Sequence, residues 1–229
     1  MPIPLVMKTK LLINALSKLV MGLGLITLML LLPAGTWHYM QAWVFLALMF
    51  IPMVLVGGWL YLFQPELLAK RLNNKEKEQQ QKSVVALSGL MFIFGFVLCG
   101  LDYRFAWSSV PLWLMIVASV FFLIGYAMYA EVLRENAYLS RNIEVQEGQQ
   151  LIDSGLYSIV RHPMYTATIL MFVSIPIILG SFWALMIFGI YPGLMVLRIQ
   201  NEEQILAKGL AGYTDYQKRV RWRLIPFIW

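Results

Sequence analysis

Residues 166–199 read TATILMFVSIPIILGSFWALMIFGIYPGLMVLRI, a run whose single charge, Arg198, lies near its end. A helix needs only about 20 mainly apolar residues to cross the hydrocarbon core of a bilayer. The run is therefore too long for one ordinary span and short for two full ones. Pro176, Gly180 and Ser181 fall near its middle, where a missing donor and a flexible residue would break a helix. This predicts a helical hairpin of two short or tilted crossings. Upstream, the stretches Leu11–Leu32, Tyr39–Phe63, Val84–Leu101 and Val110–Leu133 each qualify as a span on their own. The expected fold class is all-α, a polytopic transmembrane helical protein of about six crossings.

Composition points the same way. Hydrophobic residues make up 60% of the 229, against roughly 45–50% in soluble domains. Charged residues, at 13%, are too few to cover a water-facing surface. With both termini placed in the cytoplasm and six crossings, Arg104 is the one residue among the 18 lysines and arginines left on the outer side. The positive-inside rule predicts such an asymmetry, and five crossings would put the basic tail on the wrong face. A re-entrant hairpin that does not traverse gives the same sidedness. Lys8, Lys10 and Lys18 before an apolar run superficially suggest a secretory signal. The run from Leu19 to Leu32 continues to Pro33 without a small-x-small cleavage pattern, so it is expected to be a retained first span. The chain is expected to form a single integral membrane domain, multi-pass, in a prokaryotic cytoplasmic membrane. Residues 1–133 would supply four helices with a polar loop near 64–83, and residues 134–229 the functional part. Within that loop, Asn73–Ser83 reads as a solvated segment near anionic headgroups.

Cys99 is the only cysteine and cannot pair within the chain. One Cys and two distant His, His38 and His162, are too few for a structural zinc site. Glycine-rich nucleotide fingerprints, a P-loop and a serine elbow are absent, and nothing suggests a nucleic-acid partner.

Two polar segments flank the hairpin, Glu131–Tyr165 and Arg198–Trp229, and must emerge on one face. The first ends in Arg161-His162-Pro163-Met164-Tyr165. Pro163 holds His162 extended and suits the first turn of a helix, so His162 is expected at a helix start, where free N–H groups favour an anionic ligand. In the second segment Arg198 and Glu202 stand four residues apart on one helix face, as in a surface ion pair. Tyr157 and Tyr165 taken alone fit an aromatic belt, and Arg221-Trp222-Arg223 with Trp229 fits an interfacial anchor.

Together, Gly155-x-Tyr157, Arg161-His162-Pro163-x-Tyr165, the apolar hairpin, Glu202-Glu203 and Tyr213-x-x-Tyr216-x-x-Arg219-Val220 with Pro226 resemble the isoprenylcysteine carboxyl methyltransferase and phospholipid methyltransferase superfamily. The resemblance covers the C-terminal two fifths of the chain. It implies an S-adenosyl-L-methionine-dependent methyltransferase of lipophilic acceptors without a Rossmann-type domain. Carried over by position, the cofactor-binding residues are Gln149, Gln150, Leu151, Ile152, Tyr157, His162, Pro163, Met164, Tyr165 and Glu202. Arg198 corresponds to the substrate-contacting arginine, and Arg198 and Glu202 form the implied catalytic pair. Two positions depart from the pattern: Ala167 replaces a common glycine, and the spacing from the acidic pair to Tyr213 is one residue short, which leaves Glu203 open in place of Glu202.

A Glu suits the cofactor's ammonium, and helix-start N–H groups or His162 suit its carboxylate. Methyl transfer from a sulfonium is an in-line displacement, so positioning is the main demand. The competing enzyme is an NADPH-dependent sterol- or steroid-type membrane reductase, whose C-terminal halves look distantly similar. Pro163 directly after His162, and the lack of a basic cluster suited to a 2′-phosphate, argue against it. A non-catalytic membrane protein leaves the polar cluster unexplained.

Overall fold

The computed structural model describes residues 5–72, 79–139 and 145–229, and these residues form helices without strands. In order they are α1 (Leu5–Ala34), α2 (Met40–Phe63), α3 (Pro65–Leu72), α4 (Gln79–Phe105), α5 (Leu112–Glu135), a 3-10 turn (Gly155–Ser158), α6 (Pro163–Ile178), α7 (Phe182–Phe188), α8 (Tyr191–Gly209) and α9 (Tyr213–Arg219). Helices α1, α2, α4 and α5 fall on the four expected spans. Together with the run Phe182–Gly209 they are long and apolar enough to cross a membrane.

The surface is apolar where a soluble protein's would be polar. Leu28 and Leu32 on α1, Leu55 on α2, Phe94 on α4 and Trp113 on α5 are all more than half exposed. Bare apolar faces of this extent belong against lipid, and the chain is an integral, multi-pass membrane protein. Among lipid tails, helices gain little from hiding apolar surface, so association rests on close packing. Two features supply it. Phe92 meets Phe172 edge-on at 4.8 Å, and Phe172 meets Tyr191 at 4.7 Å, joining α4, α6 and α8. Each such pair contributes about 0.5–1.5 kcal/mol beyond its buried area. On α5, Gly125 lets α6 approach so closely that a Cβ there would stand 2.6 Å from Met171 Cγ and 2.9 Å from the Ala167 carbonyl.

The hairpin forms, but Pro176 does not break it. Helix α6 runs through Pro176 to Ile178, and the reversal lies at Gly180, whose φ of +80° an L side chain rarely adopts. Ser181 then caps α7, its Oγ accepting from Ala184 N–H at 3.0 Å. A second break, at Gly189 and Ile190, divides the returning limb into α7 and α8. With 16 residues, α6 is about 24 Å long at 1.5 Å per residue. Its apex is pinned to the far end of the bundle. Tyr39 donates to the Leu179 carbonyl, Ser181 donates to Asp102, and Phe182 N–H donates to Ser108 Oγ at 3.0 Å. The hairpin thus spans the height of the bundle, from the loops beside α2 and α4 to the end that carries the polar segments.

The segment expected as a polar loop near 64–83 holds helix α3. Leu67 and Leu68 of α3 bury against Leu60 and Leu133, and such burial fixes a helix too short to stand by propensity. Residues 73–78 of the Asn73–Ser83 run lie outside the described residues; its remainder opens α4.

Candidate active site

His162 is the N-cap of α6 and Pro163 its first residue, as the Pro restriction predicts. The expected pool of open N–H groups is largely closed, however, because the tail folds back onto the motif. Arg161 N–H donates to the Trp222 carbonyl and His162 N–H to the Arg223 carbonyl, each at 2.9 Å. Thr166 Oγ1 donates to the Leu224 carbonyl at 2.8 Å. Pro163 has no N–H to offer. An anion at this helix start would compete with the chain's own carbonyls.

Behind the motif sits a buried ion cluster. Glu203 Oε1 accepts from Arg161 Nε at 2.7 Å and lies 3.2 Å from His162 Nε2, while Oε2 accepts from Arg223 Nε at 2.9 Å. Arg161 also donates through Nη1 to the carbonyls of Val220 and Arg221, at 2.7 and 3.0 Å. Arg161, His162 and Glu203 are all buried. Three cationic or titratable groups on one carboxylate bind α6, α8 and the tail into a unit, and a buried charge is tolerable only when so paired.

Glu202, one residue earlier, is turned elsewhere. α8 advances 100° per residue, so adjacent glutamates face different surroundings, and Glu202 borders a solvent-open cleft with about 840 Å³ of empty space. Tyr165 donates to Glu202 Oε2 at 2.6 Å and accepts from Arg198 Nε at 2.9 Å. The surface ion pair suggested by their spacing is therefore replaced by a buried relay: Arg198 is 8% exposed, with Tyr165 between the two groups. Of the two glutamates, Glu202 lies on the cleft and Glu203 in the cluster.

Every residue named from the resemblance borders this one cleft: Gln149, Gln150, Leu151 and Ile152 from the loop after α5, Tyr157 from the 3-10 turn, His162, Pro163, Met164 and Tyr165 from the start of α6, and Arg198 and Glu202 from α8. Tyr157 and Tyr165 are buried rather than set in an interfacial belt. Asn136 Nδ2 donates to the Tyr157 hydroxyl at 2.9 Å, and Tyr216 donates to the Tyr157 carbonyl at 2.7 Å. Burial pushes the Tyr157 phenol well above its usual range, against the opposing pull of the Asn136 hydrogen bond. The 3-10 turn before it has a strict requirement at Gly155. Its φ is +50°, and a Cβ there would lie 1.5 Å from Glu135 Oε1, whose partner oxygen accepts from Leu156 N–H at 3.3 Å.

Sequence reading missed Asn136, Tyr138 and Leu139, which line the cleft just past the end of α5, together with Leu206 and Leu210 on the α8 side. Only their position next to the motif in space marks them. Tyr213 also lines it, and its hydroxyl is buried without a partner among the described residues. Burial, then Glu203 and Glu202, raise its phenol far above the usual range, so it stays a neutral donor.

Residues 113–208 match the model of the isoprenylcysteine carboxyl methyltransferase (ICMT) family. The fold is shared with the eukaryotic intramembrane Ras methyltransferase ICMT, solved without a monobody. The TM-score is 0.57 at 20% identity, over 93% of this chain and 77% of that one. The chain is similar to that family over residues 113–208. A second relative is a Delta(14)-sterol reductase, TM7SF2, of Mus musculus, 32% identical over 90 residues, or 38% of this chain. The chain spans only 22% of that reductase's length.

Proposed function

We propose that this ICMT-like chain transfers a methyl group from S-adenosyl-L-methionine, held in the cleft, to a membrane-embedded or lipophilic acceptor, at a carboxylate oxygen (isoprenylcysteine-type) or an amine (phospholipid-type). The observation that carries the reading is Glu202: its carboxylate stands on the cleft wall beside the Arg198–Tyr165 relay, while Glu203 is taken up by the cation cluster. The donor set fits the cofactor. Glu202 suits its ammonium, Leu151, Ile152, Leu206 and Leu210 offer an apolar bed for the adenine, Gln149 and Gln150 bring amides for the ribose hydroxyls, and the Tyr213 hydroxyl awaits an acceptor.

When bound, the cofactor supplies an electrophilic methyl on a sulfonium. The protein's part is positioning and charge placement. Tyr165 orients the Glu202 carboxylate and the Arg198 guanidinium through one hydroxyl. Arg198, on the cleft wall, is the guanidinium suited in shape to an acceptor carboxylate, which is already a nucleophile and needs no base. An amine acceptor must first lose a proton, and Glu202 is the wall carboxylate able to take it. His162 acts through shape, because its Nε2 is held by Glu203.

The likeness to the sterol reductase favours a second reading, NADPH-dependent reduction. Titration calorimetry on the nanodisc-embedded protein separates the two. The expected result is saturable S-adenosyl-L-methionine binding, weakened roughly tenfold or more by Glu202→Ala, which removes a charge-assisted contact, and weakened by His162→Ala. Binding untouched in both variants overturns the site, and binding of NADPH alone overturns the reaction. Incubation with methyl-labelled cofactor and a total lipid extract then identifies the acceptor.

A further inference from the structure

Glu202 gives the cleft a partner for an ammonium, but an anionic group is harder to place. The N–H groups of Arg161 and His162 bond the tail, and Glu203 holds His162 Nε2. Tyr157 carries a donor that is still open. Its hydroxyl oxygen accepts from Asn136 Nδ2 at 2.9 Å, and among the described residues nothing accepts from it. The Asn136 amide cannot turn round to supply that acceptor. Its Oδ1 already accepts from Tyr138 N–H at 3.0 Å, and a backbone N–H can only donate. The hydrogen-bond network therefore sets the amide nitrogen against the phenol, where it too can only donate. The Tyr157 hydrogen is left for a ligand in the cleft that both residues line.

Both groups are held from the backbone. Asn136 caps the C-terminus of α5, its N–H donating to the Val132 carbonyl at 3.0 Å and its carbonyl accepting from Leu139 N–H at 3.2 Å. Tyr157 N–H donates to the Ser154 carbonyl at 2.9 Å, and its own carbonyl accepts from the Tyr216 hydroxyl at 2.7 Å. The phenol is buried, and burial keeps it a neutral donor. A buried O–H without an acceptor costs free energy, so this site is complete only with an acceptor in place. Glu202 lies near enough to act electrostatically on the same phenol. The methionine end of the cofactor carries its carboxylate on the same carbon as its ammonium, so the two ends of that zwitterion match a neighbouring donor and acceptor.

We propose that Asn136 is a positioning residue for the cofactor: it fixes the Tyr157 hydroxyl as a one-way donor, and Tyr157 holds the cofactor's carboxylate while Glu202 holds its ammonium. This rests on the methyltransferase reading and adds the partner for the anionic end of the zwitterion. A hydrogen bond to a charged acceptor is about twice as strong as a neutral one, and a donor whose direction is set in advance loses less freedom on binding. The arrangement also selects. A ligand without an anionic oxygen at this point leaves the phenol hydrogen unanswered and binds more weakly.

Titration calorimetry on the full chain in nanodiscs compares S-adenosyl-L-methionine with its decarboxylated form, which keeps the adenosine, sulfonium and ammonium. Tyr157→Phe should weaken the first roughly ten- to hundredfold, the range of a hydrogen bond to a charged group, and leave the second within about twofold. Asn136→Asp keeps an acceptor for Tyr138 N–H and turns the other arm into an acceptor as well, which draws the Tyr157 hydrogen away from the ligand. It should weaken S-adenosyl-L-methionine roughly tenfold or more without weakening the decarboxylated form. In a Tyr157→Phe background Asn136→Asp should add little, because it acts through that hydroxyl. The full loss recurring in that background marks plain charge repulsion and overturns the proposal. Equal losses for the two ligands in Tyr157→Phe, or no loss in either, also overturn it, and this variant decides the matter alone should Asn136→Asp not fold. A parent that binds neither ligand overturns the methyltransferase reading and the proposal with it, whereas a parent that binds both, with equal losses in the variants, overturns the proposal alone.

Discussion

Glu203→Ala is the sharpest probe of how the site is held together. Glu203 is 6% exposed, and its carboxylate accepts from Arg161 at 2.7 Å and Arg223 at 2.9 Å, with His162 Nε2 3.2 Å away. Removing it strands the buried Arg161, and breaking a buried pair in this way costs about 3–5 kcal/mol. The lower part of that range applies, because Arg161 Nη1 keeps the Val220 and Arg221 carbonyls. The Arg223 side chain is 34% exposed, so water already screens its share, which adds at most about 1 kcal/mol. The expected loss is about 3–4 kcal/mol, or roughly 10 °C in Tm at about 2–4 °C per kcal/mol for a chain of this size. Glu203→Gln preserves shape and one acceptor but loses the charge, which roughly halves the strength of its hydrogen bonds, so it should cost about half as much. Arg223→Met should cost least. Thermal unfolding in nanodiscs, followed by circular dichroism, reads the series, and cofactor affinity should fall in the same order because the cluster fixes His162 and the tail. Glu203→Ala within about 0.5 kcal/mol of the parent, the level of an ordinary surface change, would refute the reasoning, as would Arg223→Met costing more than Glu203→Ala.

Three further outcomes follow from single contacts. Gly155→Ala should destabilise by more than about 2 kcal/mol, since it combines a left-handed φ costing about 1–2 kcal/mol with a Cβ 1.5 Å from Glu135 Oε1. Adding Glu135→Ala should relieve only the overlap, leaving the pair about 1–2 kcal/mol below Glu135→Ala alone in the same melting assay. Asp102→Ala removes the acceptor for Ser108 N–H and Ser108 Oγ, each at 2.7 Å, and for Ser181; it should cost about 3 kcal/mol with cofactor affinity unchanged, because that contact lies at the opposite end of α6. Tyr213→Phe deletes a buried hydroxyl lacking a partner among the described residues, so it should raise cofactor-free stability by about 1 kcal/mol while weakening cofactor binding several-fold, opposite signs that paired melts with and without cofactor detect.

What could be read from the sequence, and what could not, follows from the length scale of the force involved. The four long spans were legible because bilayer thickness sets a minimum run of apolar residues, and helices α1, α2, α4 and α5 fall on them. The cleft was legible in outline because Pro163 marks a helix start and the hairpin must return Arg198 and Glu202 to the same face. Which of Glu202 and Glu203 faces the cleft was not, since a 100° step on α8 becomes meaningful only when the tail's position is known, and the tail's place is set by backbone bonds from Arg161 and His162 to Trp222 and Arg223. Helix α3 was hidden for a related reason. Its 8 residues carry no decisive propensity, and only the burial of Leu67 and Leu68 against Leu60 and Leu133 defines it. The break was legible as the cluster Pro176, Gly180 and Ser181, but its place, four residues past Pro176, is set by the φ of Gly180.

These contacts give α6 two fixed ends with different duties. At the apex, Asp102, Ser108 and Ser181 form a neutral-donor pin around one buried carboxylate; at the base, Glu203 gathers Arg161, His162 and Arg223. Between them the helix packs on α5 through Gly125 and on α4 and α8 through Phe172. A strut held at both ends cannot tilt to admit an acceptor without breaking buried polar contacts at one end.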